Sequence, residues 1–273
     1  VKRNLLGVGF GLPLMLGLYG VIHWTGGAWW AWTAGIFFII SIVLGQLMPV
    51  LILPLFYKVA PLDNPALGER MGRLAAGTGL RIDGLYRMEL SAETVKANAM
   101  LAGLGNTRRV ILGDTLLDGF SPDEIEVILA HEIGHHVHRH IPKLIGIGLV
   151  FSAVGFWLCD WVLRSWLRAS EGRFEPADYQ HLPVYTLPLF LLWTTGFSTV
   201  MQPLQNTISR FFERQCDRYA LRRTGLRAAY RSAFQKLAKL NKEDPSPPAL
   251  EVLLFHSHPP ISERLRMADE TAA

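Results

Sequence analysis

The sequence predicts a mainly α-helical integral-membrane protein, with about four transmembrane helices and a small α+β region between the two pairs. Half of its 273 residues are hydrophobic and only 18% are charged, which is too apolar for an ordinary soluble domain. The charges are also segregated, because residues 4–57 and 182–209 contain no Asp, Glu, Lys or Arg. Charge-free stretches of this length are typical of segments that lie in the hydrocarbon of a bilayer.

The predicted membrane spans are residues 5–22, about 29–56, about 144–163 and about 182–204. Each is near or above the roughly 20 apolar residues that a helix needs to cross a bilayer. Trp24 lies between the first two spans and Trp29 begins the second, where interfacial aromatic residues are expected. The spans divide the chain into a transmembrane hairpin (1–57), a soluble region with a short sheet (58–140), a second transmembrane pair (141–204) and a C-terminal helical region (205–273).

The soluble region shows the local patterns of short helices and strands. Residues 64–76 have the periodicity of an amphipathic helix. The predicted strands are residues 84–90, 94–101 and 109–112. This mixture predicts the α+β part of the fold.

The start of the next helix is marked by three residues. Ser121 is a good N-cap, Pro122 fits the first helical position and Glu124 completes an S-x-x-E capping box. Apolar residues at helical spacing continue the helix to about His140.

The distribution of charge predicts how the protein is oriented. Lys2, Arg3 and Lys58 would lie on one side of the first hairpin, so the positive-inside rule places the soluble region in the cytoplasm. The membrane would be that of a bacterial or archaeal cell, or the endoplasmic reticulum of a eukaryote. The net charge of +4 comes from Lys and Arg scattered among acids, without a nucleic-acid-binding motif. Membrane lipids are therefore expected partners, and nucleic acid is not.

The segment His131-Glu132-Ile133-Gly134-His135 is an H-E-x-x-H motif on the predicted helix. Residues four apart lie on one helical face, so His131 and His135 can bind one zinc ion together. Glu132 lies about 100 degrees round the helix, where it can act as general base toward a water at the zinc. The metzincin pattern is excluded, because positions 138 and 141 hold His and Ile rather than Gly and His.

A third metal ligand must come from elsewhere in the chain. Glu213, on a predicted helix after the fourth span, would complete a His2Glu set and leave one coordination position open. Asp217 follows four residues later and would accept a hydrogen bond from a ligating imidazole. Its alternative is a surface salt bridge to Arg214 or Arg218. Cys216 is also a zinc-ligand type, but it is predicted to be a small packing residue.

Further motifs occur in order along the chain, at residues 53–58 (LPLFYK), 61–63 (PLD), 97–99 (ANA), 108–117 (RRVILGDTLL), 213–217 (ERQCD) and 257–264 (SHPPISER). Together with the H-E-x-x-H helix they resemble the type I CAAX prenyl endopeptidases, which are integral-membrane gluzincins with bacterial and archaeal relatives. The resemblance covers nearly the whole chain. Members usually carry further membrane helices before the region that corresponds to Val1, and a serine-rich stretch where this chain has residues 94–97.

By this resemblance the soluble region would be a zincin-like catalytic region that holds one Zn2+ ion. The zinc ligands would be His131, His135 and Glu213. Glu132 would be the catalytic base, and Asp217 would be the acid that supports a ligand.

The resemblance also implies residues that meet the substrate. Asn98 and Ala99 would lie on an edge strand that pairs with an extended substrate backbone, and Arg264 would join them in binding. His258 would donate a hydrogen bond to the developing oxyanion. From the residues alone, Asn98 could equally be a turn residue and His258 a structural histidine.

The predicted function is a membrane-embedded zinc endopeptidase that cuts near the C-terminus of membrane-associated peptides or proteins, with isoprenylated, CAAX-type substrates as candidates. One alternative is a heat-shock-type membrane quality-control metalloprotease, which has about four spans and the same zinc chemistry. A more remote alternative is a non-enzymatic metal-binding membrane protein. A transporter would place its ligands on membrane-spanning helices, whereas Glu132 and its neighbours lie on a charged, capped helix. An inactive metal-binding scaffold would have no need of Glu132.

Overall fold

The computed structural model describes residues 2–47, 51, 53–92, 94–102 and 108–270. In chain order the helices are α1 (Lys2–Thr25), α2 (Trp29–Leu47), α3 (Leu53–Phe56), α4 (Pro65–Ala75), α5 (Asp114–Gly119), α6 (Pro122–Val137), α7 (His140–Glu171), α8 (Thr186–Thr224), α9 (Arg227–Asn241), α10 (Ala249–Phe255) and α11 (Ile261–Glu270). The strands are β1 (Val59–Pro61), β2 (Ile82–Met88), β3 (Ala99–Ala102) and β4 (Arg108–Gly113). The predicted class, mainly α-helical with a small sheet, is confirmed.

The chain forms two compact units, each built from two separate stretches of sequence. The first unit contains Val1–Val43 and Leu144–Met201, and the second contains Leu44–Lys143 and Gln202–Ala273. All the described strands and the H-E-x-x-H helix α6 belong to the second unit.

The four predicted spans correspond to α1, α2, α7 and the first part of α8. The second differs in length, because α2 ends at Leu47 rather than near residue 56, and residues 48–50 and 52 lie outside the described residues. Within the described part of the chain, two helical stretches are long and apolar enough to cross a membrane, Gly11–Gly45 and His140–Glu171. Their exposed apolar side chains include Leu16, Ile39 and Val150, as hydrocarbon contact requires. The number of spans stays a prediction.

A buried carboxylate, Asp160, holds the first unit together at one end. It accepts hydrogen bonds from Trp29 Nε1 (2.6 Å) and from the Tyr179 hydroxyl, and it pairs with Arg164 Nε at 2.7 Å. Arg164 Nη2 also donates to the carbonyl oxygen of Gly27. An unpaired buried carboxylate would be costly, so these partners fix the turn between α1 and α2 against α7.

The second unit is built on a four-stranded sheet in the order β1-β2-β4-β3. Strands β2 and β4 are parallel, and the two outer pairs are antiparallel. Helix α6 packs against β3 and α4, and its apolar face joins a core that includes Val110, Leu112, Leu129 and Ile133. The predicted strands at 84–90 and 109–112 correspond to β2 and β4, whereas β1 has no counterpart in the sequence prediction.

The edge strand β3 is shorter than the predicted strand at 94–101, because side chains hold the segment before it. Buried Asp114 accepts hydrogen bonds from the backbone N–H groups of Leu90, Ser91 and Thr115 and from the Ser91 hydroxyl. Thr115 Oγ1 donates to the carbonyl oxygen of Lys96 at 2.9 Å. These bonds take the place of a strand ladder, so pairing begins only at Ala99.

Helix α6 begins where the sequence predicts and ends earlier. Ser121 Oγ accepts from the N–H of Glu124 (3.3 Å), and Glu124 Oε2 accepts from the N–H of Ser121 (2.7 Å), so the capping box is confirmed. The last helical residue is Val137 rather than His140. The helix ends early because Arg139 has a φ of 54°, in the left-handed region, which reverses the direction of the chain.

We expect Asp114→Asn to lower the free energy of unfolding by about 2 kcal/mol, because the NH2 group that replaces Oδ2 cannot accept from the Ser91 hydroxyl, and the neutral amide oxygen is a weaker acceptor for the backbone N–H groups. Burial raises the pKa of Asp114, but its hydrogen bonds outweigh burial and lower that pKa to about 2. The folded pKa lies below the ordinary value, so the stabilisation is present above pH about 4 and is lost as the pH falls toward 2. Denaturant unfolding at several pH values measures the free energy of unfolding of both proteins. The exposed Asp118→Asn on the same helix is the control, and equal losses in both variants would contradict the prediction.

We expect Arg139→Gly to be more stable than Arg139→Ala by about 1 kcal/mol, because only glycine adopts a positive φ without steric cost. Both substitutions remove the same charge, so the alanine variant controls for electrostatics. Thermal unfolding of the detergent-solubilised chain is the measurement. Equal stability of the two variants would show that the turn carries no strain.

Candidate metal centre

The site lies where α6 and α8 approach each other closely. Gly134, inside the H-E-x-x-H motif, faces Cys216 on α8. A Cβ atom added at Gly134 would lie 3.1 Å from Cys216 Cα and 3.2 Å from its Cβ, which is tighter than ordinary packing. Glycine at this position therefore lets the two helix backbones meet, and Cys216 is the residue that packs against it.

Three side chains from these helices converge with their ligand atoms together. His131 Nε2 lies 3.2 Å from Glu213 Oε2, and His135 Nε2 lies 3.4 Å from Glu213 Oε1. The two imidazole rings are 5.2 Å apart between centroids. Both histidines thus turn the same ring nitrogen toward one buried carboxylate.

The second nitrogen of His131 meets a buried ion pair. His131 Nδ1 lies 2.9 Å from Asp217 Oδ1, and Asp217 is completely buried. Arg264 on α11 donates from Nη2 to Asp217 Oδ1 (2.6 Å) and from Nε to Oδ2 (2.9 Å). The guanidinium also lies over the ring of Phe234 at 3.8 Å. Asp217 is therefore held by Arg264 rather than by Arg214, which pairs with Glu263.

The electrostatics of this cluster favour a positive charge between the imidazoles and the carboxylate. Burial lowers the pKa of His131, but its hydrogen bond with Asp217 and its contact with Glu213 outweigh burial and raise that pKa to about 10. Burial raises the pKa of Glu213, and the two histidines reverse this and lower it. Glu213 Oε2 is buried without a hydrogen-bond partner among the described residues. An orphaned carboxylate oxygen beside two imidazole nitrogens fits a metal cation such as zinc.

Cys216 is the other candidate for a third ligand. Its ligand atom and those of His131 and His135 all lie within 4.8 Å of one another. Burial, Glu213 and Asp217 together raise the pKa of the thiol, which disfavours the thiolate that binds metals. Glu213 fits better, since each of its oxygens already faces the Nε2 atom of one histidine.

Glu132 and His258 complete the polar environment. Burial raises the pKa of Glu132, which brings a carboxyl group closer to the range useful for proton transfer. His258, between α10 and α11, has 63% of its side chain exposed, and its Nε2 lies 3.7 Å from Glu213 Oε2. The structure thus brings His258 to the open side of the cluster.

A line of polar side chains along α8 positions both Glu213 and the loop of His258. Asn206 donates to the carbonyl oxygen of Leu254, and Arg210 donates to those of Val252 and His256. The line continues through Glu213 to Asp217, at successive spacings of four, three and four residues, so it follows one face of the helix. The same face of α8 therefore anchors α10 and supplies the carboxylates.

The predicted substrate-binding residues occupy two different places. Asn98 precedes β3 and its carbonyl oxygen accepts from Gly113 N at 2.9 Å, while Ala99 opens that edge strand, against which α6 packs. Arg264 is 6% exposed and contacts Asp217, so its described contacts are with the site itself. The roles of these three residues in binding substrate stay predictions.

Two residues that the sequence analysis does not single out also reach the site. His140 Nδ1 lies 3.1 Å from His135 Nδ1, and His140 Nε2 lies 2.9 Å from Gln215 Oε1. The turn at Arg139 brings His140 back against α6, and positive φ at an arginine has no signal in the sequence. Arg264 was predicted as a site residue only from the family resemblance, and that resemblance did not predict its contact with Asp217.

Two family models match consecutive parts of the chain. Residues 61–272 match the model of peptidase family M48. Residues 1–58 match the model described as the CAAX prenyl protease N-terminal region, five membrane helices. The membrane character predicted for the N-terminal region is thereby confirmed.

Individual relatives agree with the family match. The chain is 32% identical over 244 residues to the uncharacterized metalloprotease YhfN of Bacillus subtilis, covering 89% of this chain and 56% of that protein. It is 30% identical to CAAX prenyl protease 1 of Saccharomyces cerevisiae, covering 85% and 54%. The crystal structure of S. mikatae Ste24p superposes with a TM-score of 0.84 at 26% identity, covering 98% of this chain and 65% of that chain. The chain therefore spans little more than half the length of these curated relatives.

The predicted resemblance is confirmed by models that together match nearly every residue and by a solved structure with the same fold. The H-E-x-x-H helix and Glu213 both lie inside the segment that matches peptidase family M48. The chain belongs to peptidase family M48, with an N-terminal region of the CAAX prenyl protease type.

Proposed function

We propose that this chain forms the catalytic site of a membrane-embedded zinc endopeptidase. The observation that carries the proposal is the position of Glu213, whose two oxygens face the Nε2 atoms of His131 and His135 while Oε2 lacks a hydrogen-bond partner. Two imidazoles and one carboxylate leave a coordination position open, which is the arrangement of a catalytic zinc site.

The mechanism follows from the positions of the protein's own groups. Zinc held by His131, His135 and Glu213 would act as a Lewis acid and lower the pKa of water toward neutrality. Glu132 takes the proton from the attacking water and later gives it to the leaving amine. Asp217 accepts the Nδ1 proton of His131 in a hydrogen bond and so keeps Nε2 free to bind.

His258 is assigned the task of stabilising charge on the substrate. Its ring is exposed, lies near Glu213 and is supported by Ser257 Oγ, 3.0 Å from His258 Nδ1. An imidazole N–H on the open side of the site can donate to the oxygen of the scissile carbonyl as negative charge develops there.

The proposed substrates are membrane-associated proteins or peptides that are cut at a peptide bond near their C-terminus. Isoprenylated CAAX-type substrates are the first candidates. Support comes from relatives named CAAX prenyl protease 1 and from the edge strand β3, against which an extended peptide could add a strand. Asn98 and Ala99 would meet that peptide. The catalytic region would face the cytoplasm, as the positive charges at Lys2, Arg3 and Lys58 favour.

We expect Glu132→Gln to reduce peptide cleavage by about 100- to 10,000-fold, because the amide cannot accept the proton of the attacking water. The zinc content should be unchanged, since Glu132 is not among the proposed ligands. Both are measured on the detergent-solubilised chain, by peptide turnover and by metal analysis. Glu126→Gln on the same helix, where Glu126 contacts Arg70, is the control with near-normal turnover. Normal turnover in Glu132→Gln would remove Glu132 from the mechanism.

We expect a farnesylated C-terminal peptide to be cut at least about tenfold faster, in kcat/KM, than the same peptide without the lipid. A tenfold ratio needs only about 1.4 kcal/mol of additional binding in the transition state, less than burial of a few methylene groups provides. A zinc chelator should abolish both reactions. Equal cleavage of the two peptides would favour a quality-control protease of the heat-shock type, and no cleavage in the presence of zinc would contradict the proposed endopeptidase.

A further inference from the structure

The turn after α6 places a second histidine directly behind His135. Helix α6 ends at Val137, Arg139 takes a left-handed φ of 54°, and α7 begins at His140. This reversal brings His140 Nδ1 to 3.1 Å from His135 Nδ1. A side chain at positive φ costs on the order of 1 kcal/mol, and such outliers persist where surrounding contacts impose them.

The ring of His140 is fully enclosed, and each of its nitrogens has a defined partner. The residue has no exposed surface, and its ring stacks on Phe212 with centroids 4.2 Å apart. Its Nδ1 lies 3.1 Å from His135 Nδ1 and 3.6 Å from Cys216 Sγ, and its Nε2 lies 2.9 Å from Gln215 Oε1. Gln215, His140 and His135 therefore form one chain of hydrogen bonds that ends at the metal-binding face.

The direction of this chain follows from what each atom can donate or accept. Gln215 Oε1 only accepts, so the proton of neutral His140 resides on Nε2 and its Nδ1 is an acceptor. His135 Nδ1, at 3.1 Å, is nearer to this acceptor than the weakly donating thiol of Cys216, at 3.6 Å. Donation from His135 Nδ1 leaves its Nε2 as a lone pair facing Glu213. The reverse direction would put a proton on His135 Nε2, where a cation must bind.

We infer that His140 and Gln215 are positioning residues that fix the tautomer and orientation of His135 for metal binding. This inference rests on the proposed function, because it concerns the same cation. The two histidine ligands are then supported differently, His131 by the charged pair of Asp217 and Arg264, and His135 by an uncharged relay. The neutral relay orients its ligand without adding a second negative charge behind the site.

The inference is tested by metal binding to the full detergent-solubilised chain. His140→Phe keeps a ring against Phe212 but removes the acceptor, and we expect the Kd for Zn2+ to rise about 10- to 100-fold. His140→Asn restores an oxygen acceptor near the position of Nδ1 and should recover part of the affinity. Competition with a chromophoric chelator gives the Kd, and the visible absorption of the Co2+-loaded chain reports the geometry of the ligands.

Gln215 supplies an independent pair of variants in case His140→Phe does not fold. Gln215→Glu keeps an acceptor and should retain the affinity, whereas Gln215→Met removes it and should raise the Kd about tenfold. His138→Phe is the control. The ring of His138 stacks on the ring of His140, with centroids 5.6 Å apart, and phenylalanine can keep this stacking. This variant should leave Zn2+ binding unchanged.

The outcomes separate this inference from the function on which it rests. Failure of the unaltered chain to bind Zn2+ would overturn the proposed function. If the unaltered chain binds Zn2+, and folded His140→Phe or Gln215→Met shows the same Kd and the same Co2+ spectrum as the unaltered chain, only the positioning role is overturned.

Discussion

The site depends on one steric constraint, the close approach of α6 and α8 at Gly134. Its proposed ligands come from helices that are about 80 residues apart in sequence, so neither helix can form the cluster alone. Gly134 has no side chain beyond a hydrogen atom, which leaves room for Cys216. This contact sets the distance between α6 and α8 at which Glu213 reaches both histidines. Side chains at both ends of the contact are buried, so the geometry is fixed by packing as well as by polar bonds.

The arrangement of charge gives the cluster its chemical character. Two carboxylates, Glu213 and Asp217, are buried in the site. Arg264 neutralises the negative charge of Asp217, which lies behind His131. Oε2 of Glu213, which faces His131, keeps no hydrogen-bond partner among the described residues. A buried acceptor is expensive to leave unpaired, and the remaining negative charge is the part that a metal cation would neutralise. Helix α11, which carries Arg264, is thus part of the site as well as of the fold.

Local patterns in the sequence predicted what local interactions determine. The capping box of Ser121 and Glu124 predicted the start of α6, and helical spacing placed His131 and His135 on one face. Glu213 could be predicted because a carboxylate on a later helix was the missing chemical type. Contacts made in tertiary structure gave no comparable signal, as the hydrogen bonds of Asp114 that shorten β3, the turn at Arg139 and the bond between Arg264 and Asp217 show.

The polar line on α8 has a consequence for how the sequence can vary. Asn206, Arg210, Glu213 and Asp217 keep a common face only while the number of residues between them is preserved. Insertion or loss of one residue there would rotate the downstream carboxylates by about 100 degrees relative to the anchors of α10. The loop between α9 and α10 contains none of these four residues, so a change in its length would leave the common face of α8 intact.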